Sequence, residues 1–151
     1  MAYQNILAPI DGSATSNRGL KEAIELAKAV GGGRITVLHV VENVPMIAAP
    51  EAAAYLPQLV DDIRAAGTRV ANAARARAEK AGLQCQAFVV EAAGRPVYDV
   101  IVQEARRRKA NVIVLGTHGR RGLARVLMGS DAEGVIREAT VPVLLVRGPA
   151  G

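Results

Sequence analysis

Four residues in this chain have the types and spacing to do chemistry: Gly116, Gly119, Gly129 and Ser130, within GTHGRRGLARVLMGS at 116–130. The pattern is Gly-x2-Gly-x9-Gly-Ser. An apolar run, NVIVL at 111–115, leads into it, and a helix-forming run at 131–139 leads out. A strand that ends in a glycine loop and resumes as a helix suits an anion. Glycines let the backbone approach a ligand closely, and the unpaired amides of a helix start point toward negative charge. Phosphate is the chemistry this arrangement fits. The competing use of the same residues is a tight strand-to-helix connection that holds nothing.

A second candidate is Asp11, in PIDGS at 9–13. An ionised carboxylate only accepts hydrogen bonds, so it suits an amino group or a sugar hydroxyl. It equally suits a turn or helix cap, alongside Ser13 and Ser16. Other reactive side chains point to structure. His39 lies inside the apolar run RITVLHVV and is expected to pack within a strand. Cys85 is the only cysteine, so there is no internal disulfide, and one Cys with two His makes no convincing zinc site. It reads as a small strand side chain. Arg106, Arg107, Arg108 and Lys109 form the densest basic run, expected as a solvated helix terminus where cations suit the dipole. Phosphate binding is their second reading.

The elements that must position these groups alternate along the chain. Strands are expected over 5–10, 34–41, 83–91, 111–115 and 141–147. Helices are expected over 13–30, 57–81, 96–109 and 130–139. The first carries Leu20, Ala23, Ile24, Ala27 and Val30 on one face, and Gly31 stops it. The long second helix has Leu59, Ile63, Ala66, Val70 and Ala73 as its apolar stripe, ending at Gly82. Pro96 suits a helix's first turn, where no amide partner is lost. The second, fourth and fifth strands are nearly continuous Val, Ile and Leu, the signature of parallel strands covered on both faces. The expectation is a single α/β domain spanning 1–151. The segment 42–56 is the one long irregular connection, either a flap near a ligand or a linker.

In such a sheet, ligands sit at the carboxyl ends of strands where the strand order reverses. A central first strand with the fourth beside it builds that crevice from the Asp11 loop and the glycine loop. Composition narrows the function further. Of 151 residues, 50% are hydrophobic, but there is one Phe and no Trp. The formal charge is +5, from 15 Arg and 4 Lys against 14 acids. The excess would help a polyanion arrive, but base-stacking aromatics and nucleic-acid motifs are lacking, so no nucleic-acid partner is expected. No apolar run has the length of a membrane span and no signal peptide is evident, so a cytoplasmic protein is expected. Without Gly-Lys-[Ser/Thr] there is no Walker loop. A lone Asp11, with Glu91 ending the third strand, does not give a receiver domain its acidic cluster. His118 and Ser130 lack a nucleophile-elbow context.

Taken together, PIDGS, LHVVE, the glycine loop and the closing VPVLLVR closely resemble the universal stress protein family, in order and spacing over essentially the whole chain. The resemblance implies a doubly wound, five-stranded parallel sheet of order 3-2-1-4-5 with helices on both faces. It also implies a homodimer and, with the glycine motif complete, the ATP-binding branch. Carried over by position, Pro9 and Asp11 approach adenine and ribose, and the backbone of Val40 faces adenine. Leu115, Gly116, His118 and Gly119 surround ribose and phosphates, and Gly129, Ser130, Asp131 and Ala132 form the phosphate-binding helix start. Ala132 stands where some members carry a hydroxyl, and Asp131 where an apolar residue is common. Asp131 would repel a triphosphate unless Mg²⁺ intervenes, and it could reach ATP-bound Mg²⁺ through water. Dimerisation is expected through Val143, Leu144, Leu145 and Val146. The first functional reading is a nucleotide-dependent stress-response or regulatory module. The alternative is an interaction or chaperone-like module with a vestigial site. Slow ATP hydrolysis or autophosphorylation ranks last, because no general base or metal cluster is evident.

Overall fold

The computed structural model describes residues 2–42, 50–117 and 128–148. Its order is β1 (Asn5–Pro9), α1 (Ala14–Ala29), β2 (Arg34–Val41), α2 (Pro50–Ala53), α3 (Leu56–Lys80), β3 (Cys85–Glu91), α4 (Val97–Arg107), β4 (Val112–Gly116), α5 (Ser130–Glu138) and β5 (Val143–Val146). Five parallel strands form one sheet of order β3-β2-β1-β4-β5.

Strand alternation sorts the core into two layers. Ile6, Ala8 and Ile10 of the β1 region, with Ile35 and Val37 of β2, pack beneath α1 and α3. Leu7, Leu38, Ile113 and Leu115 face Ile101 and Ala105 of α4 and Val135 of α5 on the other side. Helices thus cover both faces, as the unbroken apolar strands required. The first helix buries Leu20, Ala23, Ile24 and Ala27, as its spacing implied. Among the described residues, no helix is long and apolar enough to cross a membrane.

Most expected boundaries shift by one or two residues, β3 starting at Cys85 and β5 spanning only Val143–Val146. Helix α4 starts at Val97, with Pro96 just outside as its cap, and stops at Arg107. The connection after β2 holds the short helix α2, and α3 begins at Leu56; residues 43–49 lie outside the described residues. The face of the long helix matches the expected stripe only in part. It buries Gly67, Ala71, Ala74 and Ala78, with Val70 packed against the same core and Ile63 and Ala66 half-buried, while Leu59 and Ala73 are exposed. Arg64 pairs with Glu91 at the end of β3, so the turns before Arg64 reach past the strand ends. Where α3 does meet the sheet, it approaches so closely that the smallest residues, not the largest, mark the contact.

Gly67 shows how close. A methyl group there would come within 2.6 Å of the His39 ring. His39 is buried and cannot swing away, because its Nδ1 is hydrogen-bonded to the Ile10 carbonyl at 2.8 Å, with the ring nitrogen as donor. Mid-helix Gly→Ala ordinarily stabilises by about 1 kcal/mol. Here overpacking, typically about 1–3 kcal/mol, opposes it. Gly67→Ala should therefore be neutral to destabilising in denaturant unfolding, and a gain of stability would mean that His39 does not pack as described.

Candidate functional site

Strand β1 is the pivot of the sheet. The chain leaves it through α1 toward β2 on one side, while β4 pairs with its other side, with Ile6 opposite Val112 and Leu7 opposite Ile113. The loops after β1 and β4 therefore open at the same carboxyl edge, at the reversal of strand order. This is where an open α/β sheet offers a crevice.

The β1 loop is tightly built. Pro9 is the buried last residue of the strand. The amide of Ser13 donates to Asp11 Oδ1 at 2.9 Å, and Ser13 in turn caps α1 by accepting from the Ser16 amide at 3.1 Å. Gly12 makes the turn at a φ of +85°. The turn role foreseen for Asp11 is thus real. It occupies Oδ1 in a bond that leaves the carboxylate only partly buried, at the crevice edge.

The glycine motif closes on itself. Strand β4 ends at Leu115, which is buried, and Gly116. Thr117 donates its amide to the Val146 carbonyl at 2.9 Å, and its own carbonyl accepts from the Gly129 amide at 2.7 Å. The two ends of the loop therefore meet beside β4. Gly129 is the cap residue of α5, at φ −61° and ψ 155°, and no side chain caps the helix. The amides of Ser130, Asp131 and Ala132 form its first turn. Helix starts of this kind carry partial positive charge and attract anions. Ser130 is exposed and Asp131 half-buried, and Asp131 has a polar contact of its own. Ala132 is buried in the α4/α5 core, so this position can offer a ligand only its backbone. Val40 is half-buried on β2, beside Val90 of β3. His118 and Gly119 lie outside the described residues.

Gly116 has a packing reason as well. A Cβ there would lie 2.8 Å from Thr15 Cγ2 and 2.9 Å from the Thr15 carbonyl. A Cβ on Gly148 would come within 2.8 Å of Thr15 Oγ1. Thr15, in the first turn of α1, is thus wedged between the end of β4 and the chain after β5. No local pattern marks it, since its contacts lie about a hundred residues away.

The other candidates resolve as structural. Glu91, exposed at the end of β3, is held by Arg64. Cys85 is buried, and desolvation pushes its thiol up to about 11, so it stays protonated and weakly nucleophilic. Among the described residues no cluster of His, Cys, Asp or Glu could hold a metal ion.

This fold recurs in other proteins. A universal stress protein of Methanocaldococcus jannaschii, MJ0531, is 34% identical over 148 residues, covering 97% of this chain and 84% of its own. The solved structure of MJ0577 covers 100% of both chains with a TM-score of 0.86 at 24% identity, and so shares the fold. A universal stress protein solved in complex with cAMP is 26% identical, with a TM-score of 0.66 over 99% of this chain and 100% of its own. The universal stress protein family model matches residues 2–147, from before β1 to beyond β5, and the chain belongs to that family.

Proposed function

We propose that this chain binds ATP at the β1/β4 crevice and acts as a nucleotide-dependent stress-response or regulatory module, working as a cytoplasmic homodimer. The observation that carries this reading is the 2.7 Å bond from the Gly129 amide to the Thr117 carbonyl. It sets an uncapped helix start at the mouth of the crevice that Asp11 borders. Phosphates would lie on the amides of Ser130, Asp131 and Ala132, with Gly129, whose own amide is held by Thr117, leaving the approach to them open. Asp11 would accept from ribose, while Pro9 and the Val40 backbone flank adenine. Leu115, Gly116, His118 and Gly119 would surround the sugar and phosphates. A family member's complex with cAMP supports an adenine nucleotide as the ligand class. ATP should bind more tightly than ADP or AMP, because only the longer phosphate chain reaches the full helix start. Nucleotide carried through purification should be identified by mass spectrometry as adenine nucleotide, at up to one per chain. Protein that retains none and takes up none when ATP is added would overturn the reading.

One observation favours a vestigial site instead. Asp131 and Glu133 place two acids in the first turn of α5. A carboxylate about 4 Å from a phosphate opposes it by roughly 4 kcal/mol at an effective dielectric of about 20, before screening. Mg²⁺ fits as the answer only when carried by the phosphates, since the described residues supply no metal cluster. Bound there, it would offset the charge of both groups, and Asp131 would reach it through water. Chelating Mg²⁺ should therefore weaken ATP binding more in the native chain than in Asp131→Val. An equal loss in both would show that Asp131 does not face the phosphates.

A further inference from the structure

At the opposite end of the sheet, where the strands begin, a cavity of about 360 Å³ opens between β1, β2, β3 and the end of α4. Its wall carries Arg34, Arg107, Arg108 and Lys109, with the neutral polar Thr36 and Gln86 between them. The volume lies within the range of small-molecule pockets, about 300–1,000 Å³. Four cations around one cavity make its local potential positive and draw anions toward it.

One of the cations, Arg108, is held firmly in place. Arg108 lies flat on Phe88, 3.4 Å from the ring centre, and its Nε bonds Glu104 at 2.7 Å. One guanidinium edge is thereby fixed, and the remaining donors stay available. Glu104 is buried and also takes Arg107 at 3.5 Å, so a single carboxylate serves two arginines. Among the described residues, Arg34 and Lys109 form no ion pair.

Cations at a helix end are usually explained by the free carbonyls there. That explanation does not suffice for this cluster. Lys109 takes a φ of +55°, and the backbone folds back to satisfy the last turn: Arg108 N, Lys109 N and Ala110 N donate to the carbonyls of Glu104, Arg106 and Ala105. The side chains of Arg107 and Lys109 are not needed as caps. The segment is also anchored to β1, where the Asn5 and Asn111 backbones and the Asn111 side chain exchange hydrogen bonds at 2.9 Å. A cationic cavity on a well-anchored backbone results, with Arg108 fixed in its wall.

We infer that this cavity is a second anion site, separate from the nucleotide crevice, which takes a small anion bearing two or more phosphate groups. Arg108, planar and already oriented, would engage one phosphate through paired N–H donors, and Arg34 and Lys109 would meet a second as point charges. Thr36 and Gln86 supply donors between them.

Inorganic tripolyphosphate is the probe. Titrated into the isotope-labelled protein, it should shift the amide resonances of Gln86 and Lys109 at the strand-start end, with an affinity that falls as salt rises. The double variant Arg34→Gln/Lys109→Gln alters only exposed side chains. It should keep the native spectrum elsewhere and bind the probe at least about tenfold more weakly, because two charge-assisted contacts are lost. Binding of ATP at the carboxyl end should be the same in both proteins, so failure of one site is distinguishable from failure of the other. No shifts at the strand-start end, or affinity within twofold of native in the double variant, would overturn the inference. So would a preference for an oligonucleotide over tripolyphosphate.

Discussion

Gly129→Val should lower ATP affinity by about a hundredfold while leaving the fold intact. Gly129 caps α5 at φ −61° and ψ 155°, a conformation any residue adopts. The substitution therefore adds no backbone strain. What it adds is a branched side chain at the entrance to the first-turn amides, the proposed phosphate seat. Losing two or three charge-assisted hydrogen bonds, each about 1.5–3 kcal/mol, accounts for a hundredfold or more. Gly116 would be a poor substitute test. A side chain there meets the Thr15 backbone, so lost binding would merely report a displaced α1. Calorimetry with ATP, alongside a thermal melt, checks the prediction. Unchanged affinity in a folded Gly129→Val protein would remove the phosphates from α5.

Leu144→Lys should convert the protein from dimer to monomer. Strand β5 is an edge strand in the sheet of one chain, and an apolar edge invites pairing. Its four residues are not equivalent, however. Val146 is buried in the chain's own core, and Val143 and Leu145 pack against the α4/α5 layer. Leu144 is the exposed one, at 41%. A lysine at Leu145 would therefore disturb the protomer itself, whereas a lysine at Leu144 places charge on the outer surface alone. Burying an unpaired ammonium in an interface is strongly unfavourable. Light scattering should report twice the 15.8 kDa chain mass for the native protein and the chain mass for the variant. A variant that remains dimeric places the interface elsewhere.

Strand β5 also shows where sequence reading reaches its limit. Its apolar run implied cover on both faces, yet β5 lies at the edge of the sheet with Leu144 exposed, and hydrophobicity alone cannot tell such an edge from a central strand. The strands β1, β2 and β4 were legible because most of their residues are buried within the chain. Helix α3 was legible in extent and in part in face. Val70 of the expected stripe packs on the core, but the close approach to the sheet at His39 turned the adjacent row of Gly67, Ala71, Ala74 and Ala78 inward. At the site, Asp11, Gly116 and Gly129 were visible because turn and cap chemistry is local. The hydrogen bond joining Thr117 to Gly129 and the wedge of Thr15 were not, because each depends on the chain returning to β4. The basic run at 106–109 was legible as a helix end. Its convergence with Arg34 needed the sheet to bring two segments together.

The most direct test of the account is a calorimetric titration of ATP into the nucleotide-free native chain in the presence of Mg²⁺. Saturable binding of one ATP per chain at the β1/β4 crevice is expected, tighter than ADP and AMP and unchanged in Arg34→Gln/Lys109→Gln. The same heat with ATP, ADP and AMP would deny the helix start its role. No saturable heat with any of them would contradict the nucleotide site altogether.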